Sequence, residues 1–276
     1  MLNLRLRPEE KAALNLRALY ENHGYSFYRM SRFEEYDFYA GKKDFLTSKS
    51  ILTFTDINGK LMALRPDVTL SIIKHMKFSD NTPQKFYYDE KVYRVPKNAN
   101  TFREISQAGI ECAGNLNNDN LREVLELAIL SLKTIADGRK YILALSNAAL
   151  IAELVPENQN RNEILKCIAE KNIHELKQLN ADPNLIALMT SPKLDANTTS
   201  IIDSLSEYSD VISVDFSVVN NLNYYNGIVF RGFIEGIPES ILSGGQYDNL
   251  MHIMGHKNSK AIGFAVYLDL IERGFC

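Results

Sequence analysis

The run Arg103-Glu104-Ile105-Ser106-Gln107-Ala108-Gly109-Ile110-Glu111 constrains this chain more than any other segment. Side chains two apart on a strand share a face. Extended, the run places Arg103, Ile105, Gln107, Gly109 and Glu111 on one face and Ser106, Ala108 and Ile110 on the other. The second face suits packing, and the first is either solvated or built to meet something polar, as half-exposed antiparallel sheets allow. An antiparallel partner lies close by. Lys85 to Arg94 alternates as a strand, Phe102 to Ala113 pairs with it, and the link Pro96-Lys97-Asn98-Ala99-Asn100 reads as an exposed loop. A second hairpin follows from Asn58-Gly59, flanked by Ile51 to Asp56 and Leu61 to Leu64.

Helices fill the intervals. Pro8, Glu9 and Glu10 open one that Gly24 stops, with Leu14, Ala18 and Leu19 as its apolar stripe. Thr69 to Met76 reads as another, with Leu70, Ile73 and Met76 on one side. Asn120 and Glu123 form a capping box, and Leu121, Val124, Leu125, Ala128 and Leu132 carry that helix to about Ala136. Residues 145–208 have helical periodicity broken by Pro156, Pro183 and Pro192, which marks a helical insertion within a single core spanning residues 1–276. Strand texture returns at Val211 to Val219, Tyr224 to Phe233 and Ile262 to Val266, with Ser243-Gly244-Gly245 as a turn. Hairpin-linked strands with helices between them give an α+β fold around an antiparallel sheet. The glycine-rich fingerprints of dinucleotide and P-loop sites do not occur.

Charge narrows the function. Thirty-one basic against 34 acidic side chains leave a net charge of −3, so neither general nucleic-acid coating nor polybasic membrane binding fits. No apolar run approaches the roughly 20 residues of a membrane span, and the opening MLNLRLRPEE is too charged for a signal peptide, so a cytoplasmic protein is expected. Cys112, Cys167 and Cys276 show neither zinc nor redox spacing and read as reduced thiols. His252 and His256 are four apart, as zinc-ligand pairs can be, but Gly255 between them points to a solvated loop rather than a metal site.

Three segments project groups that could bind a ligand. Gln107 and Glu111 flank Gly109, which leaves room for something small between an amide and a carboxylate. In Leu64-Arg65-Pro66-Asp67-Val68-Thr69, Asp67 and Thr69 share a face if the piece is extended; Asp or Thr at this point would also serve as a helix N-cap. In Asn223-Tyr224-Tyr225-Asn226-Gly227-Ile228-Val229-Phe230, Tyr225 and Gly227 face one way, and Tyr247 can join them; core packing is the other use of such tyrosines.

These segments, with Arg94, Leu222, Ser243-Gly244-Gly245-Gln246-Tyr247-Asp248 and Ala261-Ile262-Gly263-Phe264-Ala265, occur in an order that resembles the catalytic core of histidyl-tRNA synthetase along nearly the whole chain. The resemblance implies the class II aminoacyl-tRNA synthetase fold, an antiparallel sheet flanked by helices, and usually a dimer. It also implies a pocket for free histidine. Asp67, Thr69 and Gln107 would hold the α-amino end, Glu111 and Tyr225 would read the imidazole, and Tyr247 would line the pocket. Arg94 would meet the carboxylate or an α-phosphate. Asp67 stands where the synthetases have glutamate, one methylene longer.

The same resemblance exposes what is replaced. The arginine that assists adenylation falls on Asn220, the one that clamps ATP on Leu270, and the middle motif is reduced to Val95-Pro96-Lys97 and Asn100-Thr101. Each such donor is typically worth ~100-fold or more in rate. An anticodon-binding domain is not expected either. A synthetase core with the amino-acid pocket and without the ATP machinery resembles the regulatory subunit family of ATP phosphoribosyltransferase. That likeness implies no catalytic residues, no cofactor and no metal. It implies a homodimer, a short catalytic subunit as partner, and histidine as feedback effector. A reduced enzyme that still adenylates an amino acid and a tRNA-binding remnant are the rival readings.

Overall fold

The computed structural model describes residues 6–42, 45–46, 50–76, 82–96, 100–218, 222 and 224–274. Asn220, Lys97 and Cys276, singled out above, lie outside them. The long hairpin forms as expected: β5 (Gln84–Arg94) runs antiparallel to β6 (Arg103–Gly114), with Tyr88 opposite Gly109 and Phe86 opposite Glu111. The central sheet adds β1 (Ser26–Phe27), β7 (Tyr141–Asn147), β8 (Ile212–Val214), β9 (Ile228–Ile234), β10 (Leu242–Gln246) and β11 (Lys260–Tyr267). Its order is β1-β5-β6-β11-β10-β9-β7-β8, antiparallel except for the edge pairs β1–β5 and β7–β8. Alternation decides what each face meets. Ala108, Ile110 and Cys112 of β6, with Phe230 of β9 and Phe264 of β11, enter a core covered by α1 (Pro8–Asn22) and α4 (Asn118–Ala136). Gln107, Gly109 and Glu111 turn to the opposite face.

The helical details correct several expectations. In α1 the buried stripe is Ala12, Ala13, Leu16 and Tyr20, whereas Leu14 and Ala18 face solvent. Tyr20 draws the stripe to its side: its hydroxyl is 3.1 Å from Ser131 Oγ of α4, whose own proton goes to the Leu127 carbonyl. The capping box of α4 is Asn117 with Asn120, one turn before the expected pair, because each side chain bonds the other's backbone N–H at 3.1 Å. Residues 145–147 finish strand β7, so the helical stretch begins only at α5 (Ala148–Leu154). It continues through α6 (Arg161–Ala169), α7 (Ile173–Gln178), α8 (Pro183–Thr190) and α9 (Ala196–Asp203). Several of these helices share a small core of their own with Phe216 and Val229.

The second hairpin also forms. β3 (Thr53–Thr55) pairs with β4 (Leu61–Leu64) around Gly59, whose φ of +80° needs glycine, and β2 (Phe33–Glu35) completes a three-stranded sheet. Arg65, just after β4, is fully buried and ties this sheet to β5. It donates to the Glu90 carboxylate at 2.7 Å and to the Ser31 and Lys91 carbonyls at 2.7 and 2.8 Å.

Candidate binding site

All the residues proposed from the sequence meet in one cavity of ≈ 260 Å³ on the sheet face opposite α1 and α4: Asp67, Thr69, Arg94, Gln107, Glu111, Tyr225 and Tyr247. β6 supplies Gln107 and Glu111. α3 (Val68–His75) enters above them, and its N-cap is Asp67, whose Oδ1 accepts the Leu70 N–H at 2.9 Å. Capping and lining the cavity are therefore the work of one side chain. Thr69, in the first turn, donates its hydroxyl to Glu111 Oε1 at 2.6 Å. Tyr247, at the start of α10 (Asp248–Ile253), donates to Glu111 Oε2 at 2.5 Å.

Glu111 is thus gripped at both oxygens and is 2% exposed. Burial pushes its pKa up to about 8, with the two hydroxyl donors and nearby Asp67 as the smaller influences. Burial also raises Asp67, against the Leu70 N–H and the charge of Arg94. The phenols of Tyr88, Tyr224 and Tyr247 are held well above the ordinary tyrosine range by the same desolvation. A cavity of this kind suits a small ligand that brings both hydrogen-bond donors and charge, since an unaccompanied carboxylate is costly there.

Three local expectations need correction. Gly109 does not leave room for a ligand: a Cβ there would sit 2.6 Å from the Tyr88 hydroxyl and 2.1 Å from the Phe264 carbonyl, so the space is already filled. Gly263 is the glycine that the carboxylate requires, because its Cβ would fall 1.9 Å from Glu111 Oε2. The segment from Tyr224 to Gly227 is not a strand; β9 starts at Ile228. Backbone bonds pin it instead. Asn226 N–H donates to the Gln246 carbonyl at 3.1 Å, Ile228 N–H to Gln246 Oε1 at 2.8 Å, and Ala148 N–H to the Gly227 carbonyl at 2.7 Å. Ser243-Gly244-Gly245 is strand β10 rather than a turn, and its glycines let β9, β11 and the Tyr225 ring come close.

Sequence reasoning missed Tyr88, Tyr224, Ser243 and Tyr267, which also line the cavity. Tyr88 follows from the hairpin: the pairing of β5 with β6 brings it opposite Gly109. Tyr267 lies two and four positions beyond Ala265 and Gly263 on one face of β11, and its hydroxyl is 2.7 Å from Ser243 Oγ.

The family model for histidyl-tRNA synthetase matches residues 2–205 and 192–271. An ATP phosphoribosyltransferase regulatory subunit from Caldanaerobacter subterraneus is 33% identical over 257 residues, covering 80% of this chain and 67% of that relative. The chain belongs to the ATP phosphoribosyltransferase regulatory subunit family, histidyl-tRNA synthetase-like in sequence and fold. A solved structure from Bacillus halodurans, described as an ATP phosphoribosyltransferase regulatory subunit/histidyl-tRNA synthetase, superposes with a TM-score of 0.78 at 21% identity, over 98% of this chain and 79% of that one. A chain of the ATP phosphoribosyl transferase complex from Thermotoga maritima gives 0.73 at 19% identity, over 97% of this chain and 98% of that one. These likenesses establish the class II synthetase-like fold. Leu270, where the resemblance puts the ATP-clamping arginine, lies in α11 (Leu268–Gly274) and packs on the core shared with α1 and α4. It does not line the cavity.

Proposed function

We propose that this chain is the non-catalytic regulatory subunit of an ATP phosphoribosyltransferase in histidine biosynthesis, and that free histidine is the ligand of the cavity. Glu111 accepts a hydrogen bond from the imidazole with Tyr225 beside it, and Asp67, Thr69 and Gln107 receive the α-ammonium. What supports the reading is the pairing of a polar cavity with an apolar Leu270 at the position where the synthetase resemblance puts the cation for nucleotide activation. A short catalytic chain supplies the transferase chemistry. Histidine controls it by favouring one arrangement of the complex, a coupling that is typically ~1–3 kcal/mol. A homodimer through the N-terminal third and a cytoplasmic setting complete the proposal. Among the described residues no helix is long and apolar enough to cross a membrane, which agrees with it. The test is the ATP phosphoribosyltransferase activity of the short catalytic subunit, measured with and without this chain and across a histidine titration. Activation by the chain, reversed by histidine, is the expected result; activity indifferent to the chain would refute the assignment.

A further inference from the structure

The cavity face of the sheet carries a second arginine that no sequence motif singled out; it stands just behind the lining residues Ser243, Tyr225 and Tyr267 rather than in the wall itself. Arg231 of β9 pairs directly with Ser243 of β10, and partners in register share a face. The alternate residues of β9 confirm which face: a Cβ on Gly232 would strike Leu132 of α4, so Arg231 points away from that helix. Next to it stand the Ser243 and Tyr267 hydroxyls, bonded to each other at 2.7 Å, both part of the cavity wall. The ionisable groups that act on Arg231 are the phenols of Tyr267 and Tyr225, and no carboxylate is among them. Arg94, the other cation here, has its charge set against Asp67. A half-buried guanidinium among hydroxyls, with no hydrogen bond or ion pair among the described residues, is a site for an anion.

We infer that Arg231 receives the carboxylate of the amino acid held in this cavity, and so decides between a free amino acid and the corresponding amine. The inference rests on the reading of the cavity as a histidine site. The spacing agrees. β6 and β9 are separated by β11 and β10, and Arg231 lies two residues along the strands from the row of Glu111, so the two stand about 16 Å apart between backbones. Glu111 lines one end of that interval, and Arg231 stands at the other beside Tyr225 and Tyr267 of the wall. A histidine placed between them offers its imidazole to Glu111 and its carboxylate to Arg231. Arg94 is then left to balance Asp67 around the ammonium, rather than meeting the carboxylate as the family resemblance implies.

The experiment is calorimetric titration of histidine and of histamine, which keeps the imidazole and amine but has no carboxylate. Both are titrated into the wild-type chain, Arg231→Gln and Arg231→Lys, with a thermal melt of each protein. Arg231→Gln is expected to weaken histidine about 10- to 100-fold, the range for losing a charge-assisted bond, and to leave histamine unchanged. Arg231→Lys should recover part of the loss. A loss of equal size for both ligands, or none for histidine, overturns the inference and leaves the histidine site standing. Wild-type protein that binds histamine as tightly as histidine overturns it too, without need of any variant. Wild-type protein that binds neither ligand overturns both readings at once.

Discussion

Burial raises the Glu111 carboxyl from its ordinary 4.5 to about 8, although two hydroxyls donate to it. The folded protein therefore keeps a proton there that the unfolded chain releases above about pH 4.5. The stability this site contributes is complete below that value and is lost as pH rises through about 8, at no more than about 1.4 kcal/mol per pH unit. Burial sets that shift, the Thr69 and Tyr247 hydroxyls oppose it and nearby Asp67 adds to it, and Asp67 itself is raised by its own burial. Comparing wild type with Glu111→Gln isolates the one residue. Between about pH 5 and about pH 8 the unliganded wild type should lose melting temperature more steeply than the variant, and parallel slopes would contradict the assignment. The same substitution tests the ligand. If bound histidine takes up the proton that Glu111 holds, the bond between imidazolium and carboxylate is charge-assisted; removing it with the shape kept should lower histidine affinity about 10- to 150-fold, and Tyr225→Phe, which gives up one neutral bond, should cost on the order of 1 kcal/mol. Unchanged affinity in Glu111→Gln would move histidine out of this cavity. Glu111 and Gln107 were legible because alternation alone puts them on one face. The role of Gly263 was not, since the need for it comes from a carboxylate on the neighbouring strand.

At the level of elements, what could be read was local. The two hairpins and α4 follow from alternation, a turn dipeptide and a helical stripe, each contained within one short stretch of chain, the longest running from Gln84 to Gly114. The loop from Tyr224 to Gly227 could not be read this way. Its two tyrosines favour a strand, but the segment's backbone groups are taken by Gln246 and Ala148, which are distant in sequence. β10 was hidden for the opposite reason: its glycines suggest a turn until the closeness of Gly263 and Phe264 is known. Asp67 joins the two kinds of information, because it caps α3 locally and lines the cavity through the fold. These two duties can be separated. Asp67→Asn keeps an acceptor for the Leu70 N–H and removes the charge, whereas Asp67→Ala removes both. The alanine variant should lose about 1 kcal/mol of stability and the asparagine variant much less. Histidine affinity should drop in both, by similar amounts, if the carboxylate holds the ammonium. Asparagine binding histidine as wild type does would leave Asp67 with the cap alone.

For the molecule as a whole, Leu270 on the helix-covered core and the polar cavity on the other face fit the proposed recognition of an amino acid without its activation. Histidine-dependent exchange of pyrophosphate into ATP should accordingly be undetectable; exchange at a synthetase-like rate would favour an adenylating enzyme. The small sheet supplies the last piece of the assembly. Its register puts Phe33 opposite Leu64 and both Phe54 and Glu35 beside Met62, so four apolar side chains share a face with Glu35 at its edge, while buried Ala63 turns to the other and joins the core around α3. Phe33 and Phe54 pack edge to face at 5.8 Å and remain 49% and 38% exposed. Exposed apolar faces of this kind are costly in a monomer and mark contact surfaces. They lie in the N-terminal third, where the proposed homodimer would form. An obligate interface of that sort buries about 1,600 Å² or more, and a charge at its centre cannot be accommodated without desolvation. Phe54→Glu should therefore convert a dimer into a monomer in sedimentation at micromolar concentration, with histidine binding preserved because the cavity lies on separate elements. A wild-type chain that sediments as a monomer, or a Phe54→Glu variant that stays dimeric, would assign that face to another partner.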